Sequence, residues 1–510
     1  MPAICLSLTE ATIAENLAVL RREAPWTDMV ELRGDFLAPA ELSELAAFPD
    51  RLAGEVGRLP IILTVRRPAD GGHFAGTEAQ RRRYLAEALQ GRFDFVDLED
   101  DLFDEEPVPD VLDRARTRGI RSVRSRHDFD GPPESMVPEL LRMGADGSIP
   151  KLAVAVRDSR DLLALFHAYD VLAGRDFVLL GMGQRGVPTR VLCLAYGSQW
   201  TYASAPGAAQ AAPGHLSPQV LVERYRARQL NRHTALFGVV GNPIAHSRSP
   251  EYHNDRFRRA DRNAVYLPFE AEDFGAFAEL AEHLHIQGLS VTIPHKGSAA
   301  QRAGELSSAV RAIGACNTLI RRRDGGWYGT NTDVEGFMKP LEALIASRGR
   351  TLPERATVVG AGGVARAAVY ALLQAGVSVL VVNRTPERAE ALAAAMREHL
   401  PGLGDPTPLL ETAPLVPDSA EGVRSFRGLI VQTTSQGMTP QEDRDPLSFY
   451  PFQGDELVYD LIYTPDVTRL LSRAQEAGCV TLSGKDMFTR QAEAQGLLFD
   501  ELLDRVPDRD

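Results

Sequence analysis

The feature that most constrains the fold is a rhythm in the first half of the chain. Short apolar segments rich in Val, Ile, Leu and Phe alternate with stretches of helical period, and the strand candidates count to eight: 3–8, 29–32, 61–66, 93–99, 122–127, 149–156, 177–182 and 199–203. Between the first two, Ile13, Leu17 and Leu20 share one helix face. Thr77 and Gln80 form a capping-box signature ahead of Tyr84, Ala88 and Leu89. Pro188 and Gly197 bracket a seventh helix, and Ser217-Pro218 opens an eighth that runs toward Asn231. Eight strands each followed by a helix, in about 230 residues, is the pattern of a (β/α)8 TIM barrel.

The polar residues sharpen that reading. Glu31 and Arg33 have one parity on the second strand, as do Thr64 and Arg66 on the third and Asp97 and Glu99 on the fourth. His127 ends the fifth strand and Lys151 lies in the sixth. Inward charges in a barrel cost several kcal/mol unless paired, so they mark an active site or a structural ion network. For Arg33, Asp97 and Glu99 both readings stand; for His127 and Lys151 the flanking residues favour chemistry.

Those flanks are Val30-Glu31-Leu32-Arg33, Thr64-Val65-Arg66, Arg126-His127-Asp128-Phe129, Ile149-Pro150-Lys151, Thr189-Arg190, Gly197-Ser198 and Ala212-Pro213-Gly214. In order and spacing, roughly residues 1–230 resemble type I 3-dehydroquinate dehydratases. The resemblance implies that Lys151 forms a Schiff base with a substrate ketone, which requires an unprotonated amine and hence burial or nearby cations. It implies that His127 moves the proton, Arg190 grips a carboxylate as a bidentate fork, and Arg66 with Glu31 orients ring hydroxyls and His127. Arg33, Asp70 and His215 complete the implied substrate contacts. Two departures are visible: Asp70-Gly71-Gly72 stands where relatives have Glu before Gly-Gly, and Ala211-Ala212-Pro213-Gly214-His215 where they have Ser-Ala-Pro-Gly-Gln.

The second half carries Thr357-Val358-Val359-Gly360-Ala361-Gly362-Gly363-Val364-Ala365, a strand running into a glycine-rich turn and a helix reaching Gln374. This is the Rossmann dinucleotide pattern, in which the helix N-terminus receives a pyrophosphate. The next strand, 378–382, ends in Asn383-Arg384-Thr385, with Arg388 following. Arginines at that point suit a 2′-phosphate where an acidic residue would suit a free ribose, so NADP is the expected cofactor.

Around this motif, residues 236–510 resemble shikimate dehydrogenases. The carrying segments are Gly241-Asn242-Pro243-Ile244-Ala245-His246-Ser247-Arg248-Ser249-Pro250, Ser290-Val291-Thr292-Ile293-Pro294-His295-Lys296, Ala315-Cys316-Asn317-Thr318, Gly329-Thr330-Asn331-Thr332-Asp333, Tyr463, and Gly484-Lys485-Asp486-Met487 followed by Gln491. The resemblance implies substrate binding by Ser247, Ser249, Thr292, Asn317, Tyr463 and Gln491, and catalysis by Lys296 with Asp333. Thr434 and Gly484 join the implied cofactor contacts, while Gln432 replaces the usual Asn before Gly437-Met438. His246 and His295 read as loop-structuring.

The expected organisation is a dehydratase barrel over 1–231, then a two-subdomain α/β dehydrogenase. Its substrate subdomain spans 236–345 and is completed by 480–510; its Rossmann NADP-binding subdomain spans 350–479. A net charge of −13 disfavours nucleic acid and anionic membranes, leaving small molecules as the expected partners. Four scattered cysteines without a CxxC pair, and no leader-like N-terminus, suggest a reducing cytoplasm and no structural zinc. No metal-ligating spacing is visible, and oligomeric state is open. The runs Arg81-Arg82-Arg83 and Arg321-Arg322-Arg323 read as solvated faces. For the barrel, a Schiff-base aldolase and a catalytically idle scaffold remain as alternatives.

Overall fold

A computed structural model of the chain describes residues 3–105, 109–208, 214–245, 247–398 and 407–505, so that 211–213 and His246 lie outside the described residues. The chain divides into two compact units, Met1–Ile286 and Gln287–Asp510.

The first unit opens with eight strands, β1 (Ala3–Leu8), β2 (Met29–Arg33), β3 (Ile61–Thr64), β4 (Phe95–Glu99), β5 (Arg121–Asp128), β6 (Ile149–Ala155), β7 (Val178–Met182) and β8 (Trp200–Ser204). Seven helices alternate with them: α1 (Ile13–Glu23), α2 (Phe48–Val56), α3 (Glu78–Ala88), α4 (Asp110–Thr117), α5 (Met136–Met143), α6 (Ser159–Val171) and α7 (Val187–Leu192). The strands are ordered β7-β6-β5-β4-β3-β2-β1-β8, all pairs parallel. Across the remaining seam the Gln199 N–H donates to the Phe177 carbonyl at 2.9 Å, so the barrel is nearly closed.

Strand alternation sorts the side chains. Leu6, Leu8, Val30, Leu32, Leu63 and Val96 have one parity and join Ile13, Leu17 and Leu20 of α1 in a buried cluster between strands and helices. The opposite parity carries Ser7, Glu31, Arg33, Thr64, Asp97, Ser125 and Lys151, all buried. Local chemistry sets the helix starts: Thr12 with Glu15 and Thr77 with Gln80 both form complete capping boxes.

The eighth helix is shorter than the sequence suggests. Ser217 does cap its start, accepting from the Val220 N–H at 3.2 Å, but regular structure ends with a wide turn at Val220–Arg224. Arg226 then adopts a left-handed φ of 52°, which an α-helix does not tolerate, and its guanidinium donates to the carbonyls of Arg262 and Ala264. The unit ends with β9 (Ala235–Gly241), α8 (Ser249–Arg259), β10 (Ala264–Glu270) and α9 (Phe274–His283), the two strands pairing in parallel from Ala235↔Ala264.

The second unit holds two sheets. In one, β11 (Gly288–Val291) and β13 (Thr318–Arg321) pair antiparallel, β13 pairs antiparallel with β14 (Trp327–Thr330), and β14 pairs in parallel with β12 (Glu305–Leu306). α10 (Lys296–Arg302), α11 (Ser308–Ile313) and α12 (Asp333–Ser347) belong to this region. The other sheet comprises β15 (Arg355–Val359), β16 (Ser378–Asn383), β17 (Leu410–Pro414), β18 (Leu429–Gln432), β19 (Leu457–Asp460) and β20 (Val480–Ser483). All are parallel in the order β17-β16-β15-β18-β19-β20, the doubly wound Rossmann order. Its helices are α13 (Gly363–Gln374), α14 (Pro386–Arg397), α15 (Ala420–Ser425) and α16 (Arg469–Glu476). The last helix, α17 (Gly484–Arg505), lies along α12, where Gly336 leaves no room for a side chain: an added Cβ would come 2.7 Å from Gln491 Cβ.

Candidate active sites

The barrel interior gathers the charged residues into one cleft lined by Ser7, Glu31, Arg33, Arg66, His127, Lys151, Ala153, Leu180, Arg190, Tyr202 and His215. Strand register explains the convergence. Lys151 lies opposite Ser125 on β5, and His127 stands two residues further along the same face. Lys151 is 4% exposed, and its Nζ lies 2.7 Å from Asp97 Oδ2, 3.8 Å from Glu31 Oε1 and 4.4 Å from the centre of the Tyr202 ring. The charges touching the amine are therefore carboxylates.

A buried network holds these groups. Arg66 donates to Asp97 at 2.7 Å and to Ser125 at 2.8 Å, and its Nη1 lies 3.4 Å from Glu99. Glu31 accepts from Ser7 and from Thr64, each at 2.9 Å. Arg33 forms a two-pronged pair with Asp35 at 2.7 and 2.9 Å. Burial alone would raise the Asp97 carboxyl, but the Arg66 and Lys151 cations prevail and hold it well below the usual carboxylate range.

Burial, reinforced by Arg66 and Lys151, pushes His127 well below the ordinary imidazole value, and its buried Nδ1 has no hydrogen-bond partner among the described residues. The ring is thus neutral near neutral pH, the form that accepts a proton. Burial, then Arg190 and Arg33, moves His215 the same way, and its Nδ1 is 2.5 Å from Ser204 Oγ. Arg190, 1% exposed on α7, is pushed down to about 10 by burial yet stays charged at neutral pH.

Of the residues singled out from the sequence, Asp70 is not brought into this lining. Its carboxylate pairs with Arg67 instead. Arg81 corrects the solvated-face reading of its run. It is 0% exposed, ion-paired to Glu99 at 2.9 Å and to Glu78 at 2.7 Å, and donates to the Val65 carbonyl. A three-arginine run gives no hint of which member turns inward; Arg82 and Arg83 are exposed to 32% and 62%. Ser7, Ser125 and Tyr202 were also missed. Their parity on β1, β5 and β8 was the available signal.

In the second unit Lys296 Nζ lies 2.5 Å from Asp333 Oδ2, at the start of α12. Asn317 donates to Asp333 Oδ1 at 2.8 Å and to Thr332 Oγ1 at 3.1 Å, while Asn331 Oδ1 accepts from the Asp333 N–H at 3.0 Å. The Asn317 amide thus orients the carboxylate that holds the lysine, and Asn331 fixes the Asp333 backbone. Gln495, unremarked in the sequence, donates to Thr318 at 2.8 Å and accepts from Ser290 at 2.8 Å; Gln491, one turn earlier, faces α12. Tyr463 is 37% exposed, its ring 5.4 Å from Phe488. Thr292 is half-buried just before α10. Ser247 and Ser249 belong to the first unit, where Ser247 Oγ accepts from the Ser249 N–H at 3.3 Å.

The glycine-rich turn sits beside Lys296: a Cβ on Gly363 would come 3.3 Å from Lys296 Cδ. Gly360 takes φ of +115°, and a Cβ there would meet Thr433 Oγ1 at 2.3 Å, so glycine is required. An added Cβ on Gly362 meets nothing within 4 Å, which leaves the backbone open to a phosphate. Ala361, Val364 and Ala365 continue this turn into α13, and Asn383 closes its own loop by donating to the Thr385 carbonyl at 2.7 Å. Arg384 and Arg388 are exposed and carry no ion pair among the described residues. Gln432, fully buried, braces its loop by bonding both the N–H and the carbonyl of Thr434. A Cβ on Gly484 would come 2.1 Å from the Leu461 carbonyl oxygen.

Among the described residues no helix is long and apolar enough to cross a membrane. Residues 4–232 match the family model for type I 3-dehydroquinase, 239–319 that for the shikimate dehydrogenase substrate binding domain, and 345–412 that for shikimate / quinate 5-dehydrogenase. The bifunctional 3-dehydroquinate dehydratase/shikimate dehydrogenase of Arabidopsis thaliana, described as chloroplastic, is 31% identical over 490 residues, covering 92% of this chain and 77% of that protein. The shikimate dehydrogenase (NADP(+)) of Salinibacter ruber is 40% identical over 276 residues, 52% of this chain and 92% of its own. A solved dehydroquinate dehydratase and shikimate dehydrogenase from S. pombe is 24% identical with a TM-score of 0.40, covering 99% of this chain and 98% of that one. With a relative 31% identical over 92% of this chain and 77% of its own length, and each half matched by its own family models, the chain belongs to the bifunctional 3-dehydroquinate dehydratase/shikimate dehydrogenase family.

Proposed function

We propose that the chain dehydrates 3-dehydroquinate to 3-dehydroshikimate at Lys151 and reduces that product to shikimate at Lys296. The observation that carries this is the presence of two separate lysine–aspartate pairs, Lys151–Asp97 in the barrel and Lys296–Asp333 beside the glycine-rich turn. We assign the dehydratase to residues 1–231, the substrate subdomain to 236–345 with 480–510, and the dinucleotide subdomain to 350–479.

In the first reaction the Lys151 amine attacks the ring ketone, and loss of water leaves an iminium. The iminium draws electrons from the adjacent carbon, and neutral His127 removes its proton. The resulting enamine expels the β-hydroxyl, which leaves as water with the proton His127 returns. Hydrolysis of the iminium frees Lys151 and the product. Arg190 supplies the buried cation for the carboxylate, and His215, fixed by Ser204, offers its other nitrogen to a ring hydroxyl.

In the second reaction NADPH, when bound, supplies the hydride. The open backbone at Gly362 and the exposed Arg384 and Arg388 suit its phosphates, and NADP(+) stands in the names of the bacterial relatives. Lys296 stabilises the oxygen on which negative charge develops and hands it a proton, while Asp333 and Asn317 fix its direction. Ser247 and Ser249 are assigned to the substrate carboxylate. Four free, buried cysteines suit a reducing compartment, and we assign the chain to the cytoplasm.

Purified chain given 3-dehydroquinate and NADPH tests this. Consumption of NADPH is expected, because it requires both halves. No consumption, while 3-dehydroshikimate is reduced normally, would refute the barrel assignment.

A further inference from the structure

We propose that His167, Asp170 and His283 form a site for a divalent transition metal that clamps α6 of the barrel to α9. Their ligand atoms all lie within 4.8 Å of one another. His167 and Asp170 are three apart on α6 and therefore share a face. His283 is the last residue of α9 and presents Nε2 at 3.2 Å from Asp170 Oδ2, its ring centre 4.2 Å from that of His167. Tetrahedral bonds of 2.0–2.1 Å hold ligands about 3.3 Å apart, so modest side-chain rotations complete the geometry.

Two imidazoles and one carboxylate select zinc, nickel or cobalt over calcium and magnesium, which prefer all-oxygen shells. His167 and Asp170 are exposed, leaving the remaining coordination position to water. Asp170 already has an outer partner: Arg232 Nη1 lies 2.5 Å from Oδ1 and its guanidinium rests 4.1 Å from the Tyr196 ring, which leaves Oδ2 turned toward His283. None of the three lines the barrel cleft, so the site is structural, joining two helices whose sequence positions belong to different enzymes.

The full chain, stripped by chelator and titrated with Co²⁺ followed by visible absorption and with Zn²⁺ by calorimetry, tests the site. One equivalent should bind with micromolar or tighter affinity and raise the midpoint of thermal unfolding. His283→Gln and, on the exposed face of α6, His167→Gln should each weaken binding at least tenfold with both activities intact. His233→Gln, an exposed histidine outside the cluster, should bind as wild type. No binding, or binding unchanged in both His283→Gln and His167→Gln, would overturn the site.

Discussion

Asp97→Asn removes one charge from the barrel at nearly constant shape. The carboxylate has 0% side-chain exposure and meets two cations at 2.7 Å, Lys151 and Arg66. Unit charges at that distance attract by about 6 kcal/mol at an effective dielectric near 20, and removing one member of a buried pair costs about 3–5 kcal/mol once desolvation is included. Arg66 keeps Glu99 at 3.4 Å and Ser125 at 2.8 Å, and Lys151 keeps Glu31 at 3.8 Å. The loss should therefore fall at the low end, about 3 kcal/mol. The pH dependence has a definite sign. Since the folded value of Asp97 is depressed, its contribution is complete above the unfolded carboxylate value of about 3.9 and is lost as pH falls further. The gap between wild type and variant should narrow in that range. Urea unfolding of the first unit, read by Trp26 and Trp200 in a Trp327→Phe background, measures it. A loss below about 1 kcal/mol at pH 7 would refute the counter-ion role.

Arg384→Ala should shrink the preference for NADPH over NADH by about tenfold, mainly through weaker binding, as kcat/KM with each cofactor will show. Lys296→Ala should lower kcat for dehydroshikimate reduction by about two to four orders of magnitude with little change in KM, because the charge it stabilises appears only in the transition state. Asp333→Asn should resemble it, and the double variant should be little worse than either single one. Because the folded pKa of His127 is depressed, the acid limb of dehydratase kcat/KM should lie below the ordinary imidazole value of about 6.5. A limb at or above that value would contradict a buried neutral base.

The barrel was legible because strand alternation leaves a period of two that sequence displays directly. Seven of the eight barrel residues singled out for substrate or catalysis line one cleft, with Lys151 and His127 among them. Arg81 was hidden because a run of arginines looks the same whether all face water or one turns toward Glu99. Asp70 lies outside the lining, its carboxylate taken by Arg67 from the same turn, a competition that motif spacing does not reveal. The eighth helix was overextended because a left-handed Arg226 is set by carbonyls nearly forty residues away. Gln495 and the His167–Asp170–His283 cluster are likewise products of tertiary contact between distant segments.

The central claim is that two independent sites in one chain act in sequence, and complementation tests it most directly. With 3-dehydroquinate and NADPH, Lys151→Ala alone and Lys296→Ala alone should each fail to consume NADPH. Mixed together they should restore it after a lag, as one variant releases the dehydrated intermediate and the other reduces it. Undiminished NADPH consumption by Lys151→Ala alone, or a mixture as inactive as its parts while both variants remain folded, would contradict it.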